Sequence, residues 1–391
     1  MIDRMYPEIS PRHQELIDEL REYGEKRFSK ENISQWRHEA GLPDEVVKDF
    51  VDLDFKGFNV LNRGADGSYD LFAQVLVAEE LARVAGTTLP FTNDLLNLQI
   101  MAEFADSSQF DMVRDRYASD GRLMFALAIS EPEGGSDTMG MKTTVATVDG
   151  RLILNGRKTF VNNGEYAPYL LIAAIDGDLE PVKHPPLSLW LLPHGLEGIS
   201  VYPIKKAGQS ILPFSDVIME NVVLDESYRL TGSEPGFPQL FRFFDIGRIF
   251  SCATALGLAR AAMEDAVAYA SKRQAFGADI IDFQMIQQML VDMEIDVRAM
   301  RDSVYRTARE VDRYGHTRES RLSIALMKRF VPETATKVAS NAMQILGGRG
   351  YINDERVSMI WRDCRGFQIA EGTDQIMVRI AAPLLKEAYG C

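Results

Sequence analysis

Cysteine is scarce: only Cys252, Cys364 and Cys391 occur in 391 residues. They have no metal-ligand spacing and make no disulfide framework, a usage that fits a reducing cytosol. Positive charge is also in deficit. The 43 basic residues stand against 57 acidic ones, a net charge of -14, which argues against nucleic acid or an anionic membrane as the main partner. Long apolar runs are missing, and a stretch such as Tyr169-Leu-Leu-Ile-Ala-Ala-Ile175 is far too short to span a bilayer. The opening MIDRMYPEISPRHQ is polar throughout and predicts neither a secretory signal nor a transit peptide. A soluble, cytoplasmic protein is expected.

What is present is ordinary globular usage, 46% hydrophobic and 26% charged. Because single cores stop growing at roughly 250 to 300 residues, the chain should hold two or three packed units. Residues 1–119 carry helical signals: Leu16, Ile17, Leu20 and Tyr23 share one face, and Leu71–Ala82 is rich in helix formers. Over 120–235 the texture becomes β-prone. Thr143–Val148, Arg151–Leu154 and Arg157–Val161 are separated by Asp149-Gly150 and Asn155-Gly156, two hairpin signals that predict antiparallel sheet. Tyr169–Ile175, Leu187–Leu192 and Phe214–Leu224 extend that segment to the breaker Gly232-Ser-Glu-Pro-Gly236.

Over 236–391 the helical period returns. Met289, Met293, Val297, Met300 and Val304 form one apolar seam, and Ile324, Met327, Val331, Ala335, Val338, Ala342 and Ile345 another. Both read as antiparallel helices of a bundle, with the methionines as core and a kink or restart at Pro332. The expected architecture is mostly α with a central β domain.

Three glycine-containing stretches stand out: Ala128-Ile-Ser-Glu-Pro-Glu-Gly-Gly-Ser-Asp137, Arg273-Gln-Ala-Phe-Gly277 and Gln344-Ile-Leu-Gly-Gly-Arg-Gly-Tyr351. Taken singly each is first a turn or a helix C-cap, although glycines beside polar side chains also let backbone N–H groups approach an anion such as a pyrophosphate. Taken in order, SEPEGGSD, NGRKTFVNNG, RQAFG, QILGGRGY and WRDCRGFQIAEGTDQI resemble the acyl-CoA dehydrogenase family over nearly the whole chain. The resemblance implies an N-terminal helical domain, a middle antiparallel β domain and a C-terminal four-helix bundle. It also implies FAD between the β domain and the bundle, an acyl-CoA substrate, an electron-transfer flavoprotein as redox partner, and a homo-oligomer, by family habit a tetramer.

Carried over motif by motif, Ser130 would meet the flavin ring, Phe160 would cover it, and Ser136 would lie by the phosphates of FAD or CoA. Arg273, Phe276 and Gln284 would reach the adenosine diphosphate part of FAD across a subunit boundary, beside Gln344, Gly347 and Gly348. Thr373 and Gln375 would add dinucleotide contacts. The chain departs from the family at Phe160-Val161-Asn162-Asn163, where Asn162 replaces the usual Thr that reaches flavin N5. An amide can still donate a hydrogen bond. It also departs at Leu61-Asn-Arg-Gly-Ala-Asp-Gly-Ser68, where a remodelled loop is expected.

The family's base is a Glu on one of two segments. Here Phe244-Asp-Ile-Gly-Arg248 carries Gly247 in one slot, while Glu371 fills the other. Glu371 is therefore read as the base that removes the α-proton, with hydride passing to flavin N5. A helix N-terminal carboxylate is the bland reading. Asp245, Arg248, Ala370 and Gly372 would line the substrate site, although Arg248 could simply pair with Asp245. Ala370 leaves room for a branched or cyclic acyl group. Leu95, Leu96 and Leu98 would make a shallow pocket floor, and Asp94 is either a helix N-cap or a second acid/base group. Reverse reduction of the double bond, an oxygen-using oxidase and a non-catalytic flavin-binding interaction protein remain the competing readings.

Overall fold

The computed structural model describes residue 6 and residues 9–53, 70–120, 125–179, 184–230 and 236–390. The expected remodelled loop Leu61–Ser68 lies outside them. The N-terminal helices are α1 (Pro11–Arg27), α2 (Lys30–Glu39), α3 (Asp44–Asp52), α4 (Leu71–Ala85), α5 (Phe91–Phe104) and α6 (Ser107–Asp120). Leu16, Ile17, Leu20 and Tyr23 are buried together on α1 as their spacing predicts. Helix α4 is buried on nearly every face, so it acts as a central rod. Its buried Glu79 is paired with Arg260 at 2.7 Å and Arg301 at 3.4 Å, and its buried Glu80 with Arg83 at 2.5 Å and Arg21 at 3.1 Å.

The middle strands are β1 (Ala126–Ala128), β2 (Thr144–Val148), β3 (Arg151–Asn162), β4 (Tyr169–Asp176), β5 (Leu187–Pro193), β6 (Ile199–Ile204) and β7 (Phe214–Leu224). The order is β1-β4-β2-β3-β7-β6, with β5 paired to β4. The sheet is mixed rather than purely antiparallel, because β4 runs parallel to both β1 and β2. Those neighbours are joined by long crossovers, and a parallel pair needs one. Asp149-Gly150 makes the predicted hairpin turn, with both residues at positive φ. Asn155-Gly156 does not. There β3 continues as one strand and shifts register against β7. Gly156 makes a bulge where any side chain would strike Thr143. Strand β6 was not foreseen; its Pro203 suits a strand at the sheet's edge.

Four long or paired helices follow: α7 (Phe237–Ala270), α8 (Gln284–Tyr314), α9 (Arg318–Leu346) and, after α10 (Arg356–Phe367), the last helix α11 (Asp374–Ala388). Between α7 and α8 lies a small hairpin of β8 (Gln274–Ala275) and β9 (Ala278–Asp279). Met293 and Met300 are fully buried in the core, and the second seam is buried along α9. Pro332 neither ends nor restarts α9, which runs on as one helix through it. Among the described residues no helix is long and apolar enough to cross a membrane.

The three regions meet at Asp363 on α10, whose side chain is 0% exposed. Its carboxylate accepts from Thr87 Oγ1 at 2.9 Å and Thr88 N at 2.9 Å, just beyond α4, and from Gln209 N in the loop between β6 and β7. Nearby, a Cβ on Gly208 would lie 2.5 Å from the Arg362 carbonyl, so this loop is pressed onto α10.

Candidate active site

Glu371 sits in the connection between α10 and α11, in a conformation that non-glycine residues rarely adopt. Its φ is +55°, and Gly372 follows at +90°. Such backbone costs on the order of 1–3 kcal/mol and persists only where the surroundings hold it. Two cations do so here. Arg248 Nε donates to the Glu371 carbonyl at 3.1 Å, and Lys328 Nζ donates to the carbonyls of Phe367 at 2.7 Å and Gly372 at 3.2 Å. Arg248 is also paired with Asp245 at 2.7 Å, so the structural ion pair and the wall-organising role coexist.

The Glu371 carboxylate points at Gly247 of α7. A Cβ placed on Gly247 would lie 2.6 Å from Glu371 Oε2, inside van der Waals contact. The two sequence slots thus converge on one volume, and only an empty position at 247 lets Glu371 occupy it. Loss of water around the carboxyl raises its pKa, with Arg248 and Lys328 acting in the opposite direction. The result is a half-buried residue with a desolvated carboxyl of elevated proton affinity, held in a strained turn. That is the arrangement expected of a proton-transfer group. Gly247→Ala is expected to displace the carboxylate and lower turnover at least ~10-fold, since small displacements of a reacting group are costly. Comparing kcat in the variant and the parent checks this.

Asp94 is not a helix cap. Pro90 occupies the N-cap of α5, and Asp94 is buried inside the first turn. Its charge faces Tyr117 of α6, whose hydroxyl is raised chiefly by burial and then by Asp94.

The other predicted residues fall on two surfaces. On the β side, Ser130 is half-buried and its carbonyl accepts from Thr159 N at 2.9 Å, while Ser136 is exposed. The SEPEGGSD loop is anchored from below by Glu131, which accepts from Lys142 N, Thr143 N and the buried Lys158. Phe160 is 58% exposed, with φ at +59°. Asn162 receives a 3.1 Å bond from Lys206 Nζ on its amide oxygen, and among the described residues its NH₂ group makes no hydrogen bond within the chain. Burial pushes Lys206 down to about 8, opposed by the charge of Asp363.

On the bundle side, the β8–β9 turn holds Phe276 and Gly277 at positive φ, and the Phe276 ring is 99% exposed. Arg273, Gln284, Gln344, Gly347, Gly348 and Gln375 are all exposed. Thr373 caps α11 by accepting from Ile376 N at 3.3 Å. A Cβ on Gly347 or Gly348 would meet nothing within 4 Å, so this backbone is open to close approach.

Three family models cover most of the chain in order: the acyl-CoA dehydrogenase N-terminal domain over residues 10–119, the middle domain over 126–222 and the C-terminal domain over 234–385. The chain belongs to the acyl-CoA dehydrogenase family. A 3-(aryl)acrylate reductase of Clostridium sporogenes is 33% identical over 89% of this chain and 92% of its own. Subunit CarC of the caffeyl-CoA reductase-Etf complex of Acetobacterium woodii is 29% identical over 93% and 96%. Among solved structures, an acyl-CoA dehydrogenase of Slackia heliotrinireducens is 54% identical, with a TM-score of 0.90 and 98% of each chain covered. As an acyl-CoA dehydrogenase, this chain is an FAD-dependent enzyme of acyl-CoA thioesters. The residues present fit that cofactor: an open diglycine backbone, exposed Arg273, Gln284 and Gln344, and the amide donor of Asn162.

Sequence reading missed Lys328, Lys206 and Asp363. Lys328 had a signal, since it lies one turn from Ile324 and next to Met327, within an otherwise apolar seam. Nothing in the spacing of the other two marked them.

Proposed function

We propose that this acyl-CoA dehydrogenase interconverts a saturated acyl-CoA thioester and its α,β-unsaturated counterpart, with Glu371 carrying the α-proton. The observation that supports it most is the carboxylate enclosed against Gly247 with its proton affinity raised by burial. In oxidation the ionised Glu371 takes the proton from the α-carbon; in reduction the protonated form returns it. FAD, when bound, supplies the hydride acceptor or donor for the β-carbon. Among the described residues the Glu371 N–H makes no hydrogen bond within the chain, which leaves it as a donor for the thioester carbonyl as enolate character develops.

Reduction is the favoured working direction, because two of the similar enzymes are named as reductases of conjugated acids, one of them within an Etf complex. Ala370 beside Glu371 leaves room for a bulky or aromatic acyl group. An electron-transfer flavoprotein is the proposed redox partner. A second copy of the chain is proposed to cover Phe276, whose ring is exposed on a strained turn with an edge contact only to Phe283 among the described residues.

The test uses the flavin spectrum. Under anaerobic conditions a panel of saturated, branched, cyclic and aryl acyl-CoA thioesters should bleach the oxidised enzyme. Their α,β-unsaturated forms should restore the colour of the reduced one. No response to any thioester in either direction would sink the proposal, and fast recolouring in air would point to an oxidase.

A further inference from the structure

Lys328 is 0% exposed, yet the two hydrogen bonds of its ammonium go to neutral carbonyls. A cation taken wholly out of water whose hydrogen bonds, among the described residues, reach no carboxylate is costly, so its place in an apolar seam calls for a reason. The two carbonyls belong to Phe367 and Gly372, which bracket the strained turn that carries Glu371. One ammonium therefore closes the turn at both ends, while Arg248 from the opposite helix holds the carbonyl between them.

Building on the proton-transfer reading of Glu371, we propose that Lys328 is a positioning residue, closing the Phe367–Gly372 turn and presenting its ammonium to the Glu371 carboxylate. It touches no substrate. A lysine suits the task because its compact ammonium carries three donors and spans two carbonyls here.

The charged and titratable groups around the carboxylate come from three helices. Arg248 on α7 bears on it directly, with Asp245 paired to that arginine. Lys328 on α9 bears on it from the other side, and Lys328 in turn faces Cys252 on α7 and Asp374 on α11. The Cys252 thiol is pushed up to about 12 by burial and so stays neutral. Both cations favour ionised Glu371, against the desolvation that disfavours it. Removing the Lys328 charge therefore raises the Glu371 pKa further. The rise of oxidation rate with pH should move to higher pH.

Two variants separate the donor from the charge. Lys328→Met removes both, and Lys328→Gln keeps a donor without charge. In the FAD-loaded enzyme, amide hydrogen exchange of the 367–373 segment should accelerate at least ~10-fold in Lys328→Met and less in Lys328→Gln. The acid limb of the rate of flavin bleaching should shift upward in both, and kcat should fall more than KM rises. Unchanged exchange in the segment would overturn the proposal, as would faster exchange with an unmoved acid limb, which is the outcome of a purely structural staple. If Lys328→Met does not fold, Lys328→Gln alone decides both readouts. Should wild-type enzyme fail to respond to any thioester, the proton-transfer reading falls by itself, and hydrogen exchange still decides whether Lys328 closes the turn.

Discussion

Glu371→Gln is expected to lower the rate of anaerobic flavin bleaching by about 10²- to 10⁴-fold, the usual contribution of a positioned proton-transfer group. FAD should stay bound, because the substitution preserves shape and removes only the ability to accept the proton. In the parent, the oxidative rate should rise as pH passes through the raised Glu371 pKa, since the ionised form is the base. The reductive rate should fall over the same window, since there the protonated form is needed. Opposite pH dependences from one group would be hard to obtain any other way. A Gln variant bleaching at the parental rate would remove Glu371 from the chemistry.

The same substitution carries a signature in stability. A carboxyl whose folded pKa lies above its unfolded value holds its proton to higher pH in the folded state. The folded state therefore binds more protons than the unfolded state between those two values, and stability is lost as pH rises through that window. Glu371→Gln removes this penalty. The variant should melt above the parent at neutral to basic pH and converge with it in acid, a stability gained at the expense of function.

Asp363→Ala should destabilise the protein by about 3 kcal/mol or more. Its carboxylate is the acceptor for Thr87, Thr88 and Gln209 at once, and each donor left buried without a partner costs roughly 1–3 kcal/mol. Because those donors come from the end of α4 and from the β6–β7 loop, the loss should also loosen the β layer against α10. Asp363→Asn keeps one acceptor oxygen and should fall in between. Denaturant unfolding of the three proteins checks the order; an Ala variant as stable as the parent would show that water replaces the lost acceptor.

Much of the architecture was legible from local pattern. The seams of α8 and α9 follow from residues every three or four positions, and the β2–β3 hairpin from Asp149-Gly150, because these signals depend on near neighbours in the chain. Where local reading failed, distant contacts had intervened. Asn155-Gly156 carries the same hairpin chemistry as Asp149-Gly150, yet Thr143 packs against Gly156 and β7 continues alongside, so the strand bulges instead of turning. Pro332 reads as a helix breaker, but packing on both sides keeps α9 whole. Asp94 resembles a cap only until the helix is seen to start at Phe91.

By itself the sequence determined the family, the order of helical, β and helical regions, and two candidate slots for an acidic group, one filled by Glu371 and the other vacant at Gly247. Only the tertiary structure decided that Gly247 and Glu371 occupy one volume, that the carboxylate's turn is closed by Lys328, and that the three regions are pinned together by Asp363. The reason is physical: periodicity and turn chemistry act over a few residues and are written in order along the chain. Desolvation, charge–charge coupling and the sharing of a buried acceptor depend instead on which side chains meet after 39, 123 or 276 residues of separation.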